Sequence, residues 1–309
     1  MKCRVCRGPA VIDLPAHNAN FCPEHFVAFC QSQVERAVHK FRMMGPDDRV
    51  LVAVSGGKDS LALWDILLEL GYAADGFVIG LGIGEYSAAS TAYARSFAEG
   101  RGATLHEVDL RDQHGFDVPT AAEVTKRPAC SACGLSKRHL FDRAAVDGGY
   151  DVLATGHNLD DEAAVLFGNT LRWNTDYLAR QRPVLPERDG FPRKVKPLVR
   201  LGEREMAAYC VIRGIDYIVE ECPMAAGNKH LAYKDALNRI ETESPGSKHA
   251  FYHEFLRKAV DAFDEAASQG PAGRCTRCGS PASNEICSFC ALTDRCAEVP
   301  VSLTTRPTR

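Results

Sequence analysis

The sequence has 309 residues, of which 45% are hydrophobic, and a formal net charge of −3. This composition is sufficient for one large core with small satellites. It excludes a globally basic nucleic-acid binder, so an RNA-binding role would need a local basic face. No apolar run approaches the roughly 20 residues of a membrane helix, and residues 1–6 lack the apolar core of a signal peptide, so we expect a soluble cytoplasmic protein with no membrane partner.

Strands and helices alternate from residue 49 onward, after a helix expected at 29–43. This alternation predicts βαβ units and an α/β fold with a doubly wound parallel sheet covered on both faces. The predicted strands are 50–54, 76–83, 104–110, 151–155, 194–198 and 216–219. The predicted helices after residue 49 are 60–70, 88–99, 131–147, 160–170, 203–213, 229–243 and 248–269. Ligands bind such sheets at the carboxyl ends of the strands.

Cysteine-rich segments flank the alternating region on both sides. The predicted organisation is an N-terminal zinc finger at 1–28, a linking helix at 29–48, a nucleotide-binding domain at 49–225, a helical extension at 226–270, a C-terminal zinc ribbon at 271–296 and a disordered tail at 297–309. Thirteen cysteines in a cytosolic chain favour metal or redox chemistry over structural disulfides.

The C-terminal cysteines form two Cys-x-x-Cys knuckles separated by eight residues. They are Cys275, Cys278, Cys287 and Cys290. Four thiolates at this spacing close a tetrahedron around Zn²⁺, and the metal would supply most of the folding free energy of so short a segment. Four free thiols in a tail are the alternative.

A second zinc site is predicted at the N-terminus. Its ligands are Cys3, Cys6, Cys22 and His25. His17 is a competing nitrogen ligand, but His25 completes the second knuckle. Cys30, Cys210 and Cys296 have no partners at metal spacing, and we expect the first two to be buried as small apolar residues.

The sequence Ser-Gly-Gly-Lys-Asp-Ser at 55–60 joins the first predicted strand to a helix. Two glycines there indicate a backbone that approaches a phosphate, which a helix N-terminus favours. The spacing does not fit the Walker pattern. It resembles the PP-loop of ATP pyrophosphatases, which split ATP between its α and β phosphates and leave an adenylated substrate. The ATP-binding residues implied here are Ala53, Ser55, Gly56, Gly57, Lys58, Asp59 and Ser60, and Asp59 is also expected to hold Mg²⁺.

A second segment, at 155–162, follows the fourth predicted strand and carries Gly-His-Asn-Leu-Asp-Asp. A similar stretch borders the nucleotide in PP-loop enzymes that modify tRNA. By this resemblance Gly156 and His157 line the nucleotide, and Asp161 holds the metal or acts near the activated oxygen. The alternative for His157 is a capping or core histidine.

Two more cysteines, Cys130 and Cys133, begin a predicted helix. The helix N-terminus and the nearby Lys137 should lower their pKa and make them reactive thiolates or ligands. Cys222 follows the last predicted strand, again at the carboxyl edge of the sheet. Three converging thiolates with one vacant position suit a [4Fe-4S] cluster, whereas zinc or a disulfide-forming catalytic pair is the alternative.

Residues 3–290 as a whole resemble the TtuA group of tRNA 2-thiouridine synthetases, and the stretch at 231–240 also looks like that group. The resemblance implies ATP-dependent adenylation of the uridine C2 oxygen, followed by displacement of AMP by sulfur. The catalytic residues that it implies are Cys130, Cys222, Asp59, Lys137 and Asp161. Cys130, Cys133 and Cys222 would bind the cluster that carries the sulfide, or Cys130 and Cys222 would carry sulfur as a persulfide.

The partners implied by the resemblance are tRNA and a ubiquitin-like sulfur carrier with a C-terminal thiocarboxylate, and a homodimer is compatible with it. Residues 180–204 hold eight Lys or Arg against three acidic residues, a local charge of +5, and are the candidate RNA-facing patch. The T-loop 5-methyluridine is favoured as the target.

Several alternatives remain open from the sequence. They are thiolation of the wobble uridine 34, a thiolase or ligase with an acceptor other than tRNA, a nitrogen-delivering PP-loop ligase and an RNA-binding adaptor with a degenerate ATP site. The intact Lys58, Asp59 and Asp161 argue against the adaptor, and the middle cysteines have no role in the nitrogen-delivering ligase.

Overall fold

The computed structural model describes residues 1–188, 190–225, 229–266 and 273–298. Most of the predicted tail at 297–309, and the end of the helix predicted at 248–269, lie outside these ranges. None of the helices within them combines the length and the apolar composition that a bilayer crossing requires.

Strands and helices alternate through the middle of the chain, as predicted. The strands are β1 (Ile12–Leu14), β2 (Ala19–Phe21), β3 (Arg49–Val54), β4 (Ala73–Gly80), β5 (Leu105–Asp109), β6 (Val152–Thr155), β7 (Val184–Leu185), β8 (Arg193–Val195), β9 (Gly273–Arg274) and β10 (Pro281–Ala282). The helices are α1 (Pro23–Phe41), α2 (Lys58–Glu69), α3 (Gly84–Arg101), α4 (Leu110–His114), α5 (Val118–Thr125), α6 (Ala129–Asp147), α7 (Leu159–Leu171), α8 (Thr175–Ala179), α9 (Glu203–Arg213), α10 (Lys229–Glu243), α11 (Ser247–Lys258) and α12 (Ser288–Ala297). Two 3₁₀ turns, Pro15–His17 and Val260–Ala266, complete the described elements.

Six strands form one sheet in the order β5-β4-β3-β6-β8-β7. All neighbours in it are parallel except β7, which pairs antiparallel with β8 at one edge. The predicted doubly wound α/β fold is therefore confirmed, with a mostly parallel sheet. β3 lies between β4 and β6, so the turn that follows it sits at the centre of the carboxyl edge.

The side chains of β3 alternate between two hydrophobic clusters. Val50, Val52 and Val54 belong to the cluster that includes α1, α2 and α9, while Leu51 belongs to the cluster that includes α6 and the C-terminal module. A strand that is apolar on both faces is typical of a parallel sheet covered by helices. The two clusters fix β3, and with it the turn at its end, in the middle of the molecule.

The sixth predicted strand, 216–219, is not a strand. The next place beside β8 is already taken by β7, a two-residue strand too short to be recognised in the sequence. The chain after α9 instead runs over the carboxyl edge of the sheet, where the amide of Ile218 donates to the carbonyl of Gly56 at 2.9 Å.

Smaller departures concern short elements and boundaries. The strand predicted at 76–83 is observed as β4, three residues earlier, and the helix predicted at 248–269 ends at Lys258 and continues as a 3₁₀ turn. The sequence also did not predict α4, α5, α8 or the hairpins β1–β2 and β9–β10. Elements of two to eight residues carry too few apolar positions to display a period.

Candidate active site

The turn between β3 and α2 is tightly held. Gly56 has a φ of +68°, and a Cβ there would lie 2.2 Å from the carbonyl oxygen of Ser90, so the position requires glycine. The Ser60 hydroxyl accepts a hydrogen bond from the amide of Ser55 at 3.1 Å and donates one to the carbonyl of Gly57 at 3.0 Å. The first amides of α2 have no helical partners, so a phosphate bound at this turn would find free donors and the positive end of the helix.

The segment after β6 packs directly against this turn. A Cβ on Gly156 would lie 2.9 Å from the amide nitrogen of Ser60, so a glycine is needed for the approach. Asn158 and Asp161 form a capping box at the start of α7, each side chain accepting from the other's amide at 3.1 Å. The amide group of Asn158 also donates to Asp59 at 3.0 Å. Asn158 therefore couples the two carboxylates that the sequence predicts for the metal.

The two carboxylates have pKa values shifted in opposite directions. Burial raises the pKa of Asp59, and the neighbouring Asp161 raises it further, against the effect of Lys58 at 3.0 Å. Burial also acts to raise the pKa of Asp161, but an ion pair with Lys234 at 2.5 Å outweighs it and holds that pKa below its usual range. Lys234 pairs with Glu203 at 2.5 Å as well. Carboxylates of this kind are the ligands that Mg²⁺ prefers.

His157 faces the same region from the end of β6. Its Nδ1 lies 2.8 Å from the hydroxyl of Thr155. Desolvation by the surrounding walls lowers its pKa, and the charge of Lys196 lowers it further. The ring is therefore neutral at pH 7 and able to hydrogen-bond to a nucleotide without adding charge.

A cavity of about 540 Å³ lies between the turn, the segment after β6 and helix α6. The predicted ATP-binding residues that line it are Ala53, Ser55, Gly57, Asp59, Ser60, Gly156 and His157. Gly56, Lys58 and Asp161 are not among the residues that line the cavity, and the ammonium of Lys58 forms an ion pair with Asp59. Lys137, Lys194 and Lys196 also line the cavity, and Lys137 has no ion-pair partner in the described ranges. The excess of cations suits a polyphosphate.

The three middle cysteines lie together beside this cavity. Cys130 and Cys133 are in the first turns of α6, one to two turns before Lys137. Cys222 is near Cys133, and the charge of Cys222 raises the pKa of the Cys133 thiol. The sulfur of Cys130 lies 3.8 Å from the carbonyl oxygen of Met224. Their ligand atoms are not all within 4.8 Å of one another, as the ligands of a single ion would be.

The predicted lowering of the thiol pKa is wrong for Cys133. Burial raises the pKa of this thiol, and the charges of Cys222 and Cys130 add to the effect, while Lys137 acts in the lowering direction without reversing it. The site as it stands therefore opposes a free thiolate at Cys133.

The N-terminal group consists of Cys3, Cys6, Cys22 and His25, whose ligand atoms all lie within 4.8 Å of one another. Cys22 is the N-cap of α1, and its sulfur lies 3.0 Å from Nδ1 of His25 and 3.8 Å from the sulfur of Cys6. His17 is not in the group; it packs edge-on against Phe29. This group can hold a metal ion.

The C-terminal group is built in the same way, from the hairpin β9–β10 and the N-cap of α12. Its four sulfur atoms also lie within 4.8 Å of one another, and they belong to Cys275, Cys278, Cys287 and Cys290. Three backbone amides donate towards Cys275 and hold its pKa at about 6 against the effect of desolvation. A thiol stabilised as thiolate is prepared for a metal ion. Cys30, Cys210 and Cys296 are buried and outside both groups.

Ion pairs with carboxylates elsewhere in the chain offset much of the charge of the basic segment at 180–204, which weakens its interpretation as an RNA-facing patch. Arg182 pairs with Asp261 and Asp264, Arg193 with Asp48, Lys194 with Asp142 and Lys196 with Glu162. Arg200 donates to Gln33 at 2.9 Å. Much of the local charge of +5 is thus balanced by ion pairs that hold the segment against its neighbours.

Two residues of the site were not predicted from the sequence. Asn158 lies inside the Gly-His-Asn-Leu-Asp-Asp stretch, and its position three residues before Asp161 is the signal of a capping box. Lys234 is 73 positions away from Asp161 in the chain, and no local pattern marks it as a partner.

Two family models match the chain. One is described as the N-terminal LIM domain of the 2-thiouridine synthetase TtuA and matches residues 2–27; the other is described as a PP-loop domain and matches residues 30–234.

Whole-chain relatives agree with these models. The chain is 49% identical over 297 residues to the tRNA-5-methyluridine(54) 2-sulfurtransferase of Thermus thermophilus, covering 95% of this chain and 91% of that protein. The protein of the same name from Pyrococcus horikoshii is 41% identical over 290 residues, with 94% and 93% covered. Among solved structures, the U34-tRNA thiolase NcsA from Methanococcus maripaludis, determined with its [4Fe-4S] cluster, gives a TM-score of 0.80 at 26% identity and covers 95% of this chain and 96% of that one.

Proposed function

The chain belongs to the TtuA family of ATP-dependent PP-loop tRNA 2-sulfurtransferases, and from this membership we propose that it replaces the C2 oxygen of 5-methyluridine 54 in tRNA with sulfur. The relatives at 49% and 41% identity are both named for that nucleoside. The wobble uridine is the less supported target, since the U34 thiolase shares 26% identity with the chain.

The first step is adenylation. The uridine C2 oxygen attacks the α-phosphorus of ATP, and pyrophosphate leaves. The amides of the turn and Lys58 would hold the phosphates, and Asp59 and Asp161 would supply carboxylate ligands to a Mg²⁺ bound with them. Lys137, whose ammonium lines the cavity, stabilises the charge that develops on the α-phosphate.

The second step is sulfur transfer. Sulfide attacks C2, the C2–O bond breaks, and AMP leaves with the former uridine oxygen. Cys130, Cys133 and Cys222 would hold a [4Fe-4S] cluster, which would supply an iron site for the sulfide because three cysteines leave one iron without a protein thiolate. The ligands of a cluster bind different irons and stand farther apart than those of one ion. The sulfur atoms of the three thiols are not all within 4.8 Å of one another, and this wider spacing therefore supports the cluster over zinc. A persulfide on Cys130 would use the same residues, but its outer sulfur would have to come from a persulfide donor instead of a thiocarboxylate, and its release by Cys222 would leave a Cys130–Cys222 disulfide for a reductant to reopen.

The terminal groups each bind one Zn²⁺ with structural roles in this proposal. Each group offers four ligand atoms, three sulfurs and an imidazole nitrogen at the N-terminus and four sulfurs at the C-terminus, and these are the ligands of structural zinc. The sulfur donor is a ubiquitin-like carrier whose C-terminal thiocarboxylate reaches the cysteines at the open side of the cavity. This assignment of the donor rests on the family alone.

One observation carries the proposal: the PP-loop turn, Gly156 and His157 of the segment after β6, and Gly134 and Lys137 of α6 line a single cavity, and Gly134 directly follows Cys133 in the chain. An activated uridine in that cavity would be within reach of both the phosphates and the sulfur.

Pyrophosphate release and sulfur content of tRNA test the proposal together. We expect unmodified tRNA to stimulate pyrophosphate release by the anaerobically purified protein, and Cys222→Ala to keep this release while forming no 2-thionucleoside. Cys222→Ala should also lose iron and labile sulfide but retain zinc, with Cys30→Ala, a buried cysteine outside the site, as the control. Pyrophosphate release that does not respond to tRNA would contradict the proposal.

A further inference from the structure

A second cavity, of about 330 Å³, lies between α6, the turn at Gly190 and the C-terminal cysteine module. Its cationic lining residues are Arg138, Arg143, Lys194 and Arg274. The described lining contains one carboxylate, that of Asp142, and Lys194 neutralises it at 2.7 Å. Among the Arg, Lys and Asp side chains of this lining the cations outnumber the carboxylate, and Cys287 of the C-terminal cysteine group lines the cavity as well.

Two of these cations have no ion-pair partner in the described part of the chain. Arg143 pairs with Asp147 at 2.7 Å and donates to the carbonyl of Cys278 at 2.7 Å, so it joins the module to α6. Arg138 and Arg274 are exposed and form no salt bridge. They stand on opposite walls of the cavity, one on α6 and one on β9.

Neutral donors complete the lining. The hydroxyl of Ser280 belongs to a residue with 9% exposure and has no hydrogen-bond partner, which is unusual for a buried polar group. Ser288, the first residue of the ten-residue helix α12, lines the same cavity, so the positive end of that helix faces it. The exposed guanidinium groups of Arg138 and Arg274, the second of which also donates to the carbonyl of Gly279 at 3.1 Å, suit a phosphate group together with the hydroxyl and the helix N-terminus.

The second cavity shares a wall with the ATP cavity. Arg138, Asp142 and Lys194 line both. A uridine that reaches the ATP cavity carries a phosphate on each side, and a polynucleotide places further phosphates along the same surface. On the basis of the proposed function, we propose that this second cavity binds a phosphate of the tRNA strand that flanks the modified uridine.

The affinity for an unmodified tRNA transcript and its dependence on salt test this assignment. Arg274→Gln is the main variant, because Arg274 does not line the ATP cavity; Arg138→Gln and the double variant extend it. Each substitution should weaken tRNA binding and reduce the slope of log Kd against log salt by about 0.7 to 0.9, and the double variant should bind about tenfold more weakly. Arg295→Gln is the matched control, an exposed arginine of the same module outside the cavity, and should leave both quantities unchanged.

An unchanged Kd and salt slope in the double variant, with zinc content intact, would overturn the assignment. If thiolation supported by a thiocarboxylated carrier falls while tRNA affinity is unchanged, the cavity belongs to the carrier and the assignment also fails. Failure of the wild-type protein to thiolate tRNA would instead count against the proposed function, so the two results are distinguishable.

Discussion

At the residue scale, the chemistry of the cavity depends on how Asp161 is held. Asp161 is half-buried, and its partial desolvation acts to raise its pKa, but the ammonium of Lys234 at 2.5 Å outweighs this effect and favours the ionised form. Lys234 acts through Asp161, so it is a positioning residue of the proposed reaction. We expect the contribution of Lys234 to appear in the pH dependence of the rate of pyrophosphate release.

Lys234→Met is expected to move the acid limb of tRNA-stimulated pyrophosphate release to higher pH. With Lys234 present the pKa of Asp161 is lowered; without it, desolvation raises that pKa, so a proton binds at a higher pH. The rate at neutral pH should fall roughly 10- to 100-fold, as for other residues that orient a metal ligand. Lys234→Arg keeps the charge and should restore most of the acid limb. An acid limb that does not move in Lys234→Met would show that Lys234 has no influence on the ionisation of Asp161.

Gly56→Ala is expected to abolish ATP binding. Both Gly56 and Gly102 have positive φ, +68° and +60°, but a Cβ on Gly102 meets nothing within 4 Å, whereas one on Gly56 meets the Ser90 backbone. Gly102→Ala should therefore cost about 1–2 kcal/mol of unfolding free energy from backbone conformation alone and leave ATP affinity unchanged. Denaturant unfolding and ATP calorimetry on the two variants separate these effects. Equal consequences for the two substitutions would contradict the close approach at Gly56.

At the element scale, three helices are joined by one buried carboxylate. Asp65 of α2 has 0% exposure and accepts hydrogen bonds from Arg101 of α3 at 2.6 Å, from Arg213 of α9 at 2.9 Å and from Tyr209 of α9 at 2.7 Å. Burial opposes its ionisation, but these partners together hold its pKa below the usual range. The cluster anchors the C-terminal half of the helix that begins at the ATP turn.

Asp65→Asn is expected to lower the free energy of unfolding by about 3 kcal/mol, because it leaves the Arg101 guanidinium without its counter-charge and leaves Arg213 with Glu69 as its remaining carboxylate partner. Since the folded pKa is lowered, the ionised group stabilises the protein above about pH 4, the ordinary aspartate value, and this stabilisation is lost as pH falls through the folded pKa. Urea unfolding at pH 7 and below pH 4 should show the difference from wild type shrinking in acid. Asp112→Asn, an exposed position, should change stability by less than about 0.5 kcal/mol. A loss at Asp65 no larger than that control would contradict the account.

Also at the element scale, the chain between α9 and Cys222 illustrates what sequence patterns can and cannot predict. The apolar residues at 215–219 suggested a strand, yet the neighbouring place in the sheet is filled by β7. Cys222 nevertheless lies near Cys133, since the chain leading to it crosses the carboxyl edge of the sheet, where Ile218 is hydrogen-bonded to Gly56. The position of this cysteine was thus predicted on the wrong structural ground, since the competition between segments for a sheet edge is not encoded locally.

At the scale of the whole molecule, long periodic segments and short motifs were predictable, while contacts between distant segments were not. The alternation of strands and helices predicted the sheet, and glycine and cysteine spacing predicted the turn at 55–60 and the terminal groups. The Lys234–Asp161 pair and the internal neutralisation of residues 180–204 depend on tertiary packing between segments far apart in sequence. Counting charges in a sequence cannot reveal which of them face solvent.

In the proposed assignment, the C-terminal module would contribute to the substrate-binding surface in addition to offering four cysteine ligands for a metal ion. The module packs on α5 and α6, and the second cavity lies at its junction with α6. Phosphate contacts there and chemistry in the adjoining cavity would let one strand of RNA span both, which is how a polynucleotide is positioned without recognition of its bases.

The central claim is that the three middle cysteines deliver sulfur to a tRNA uridine activated in the ATP cavity. The most direct measurement is the nucleoside composition of tRNA from a strain that lacks the gene, complemented with wild-type protein or with Cys222→Ala. The account predicts that 2-thio-5-methyluridine from position 54 is absent in the deletion strain, returns with the wild type and stays absent with Cys222→Ala. An unchanged amount of this nucleoside in the deletion strain, or its full return with Cys222→Ala, would contradict the account.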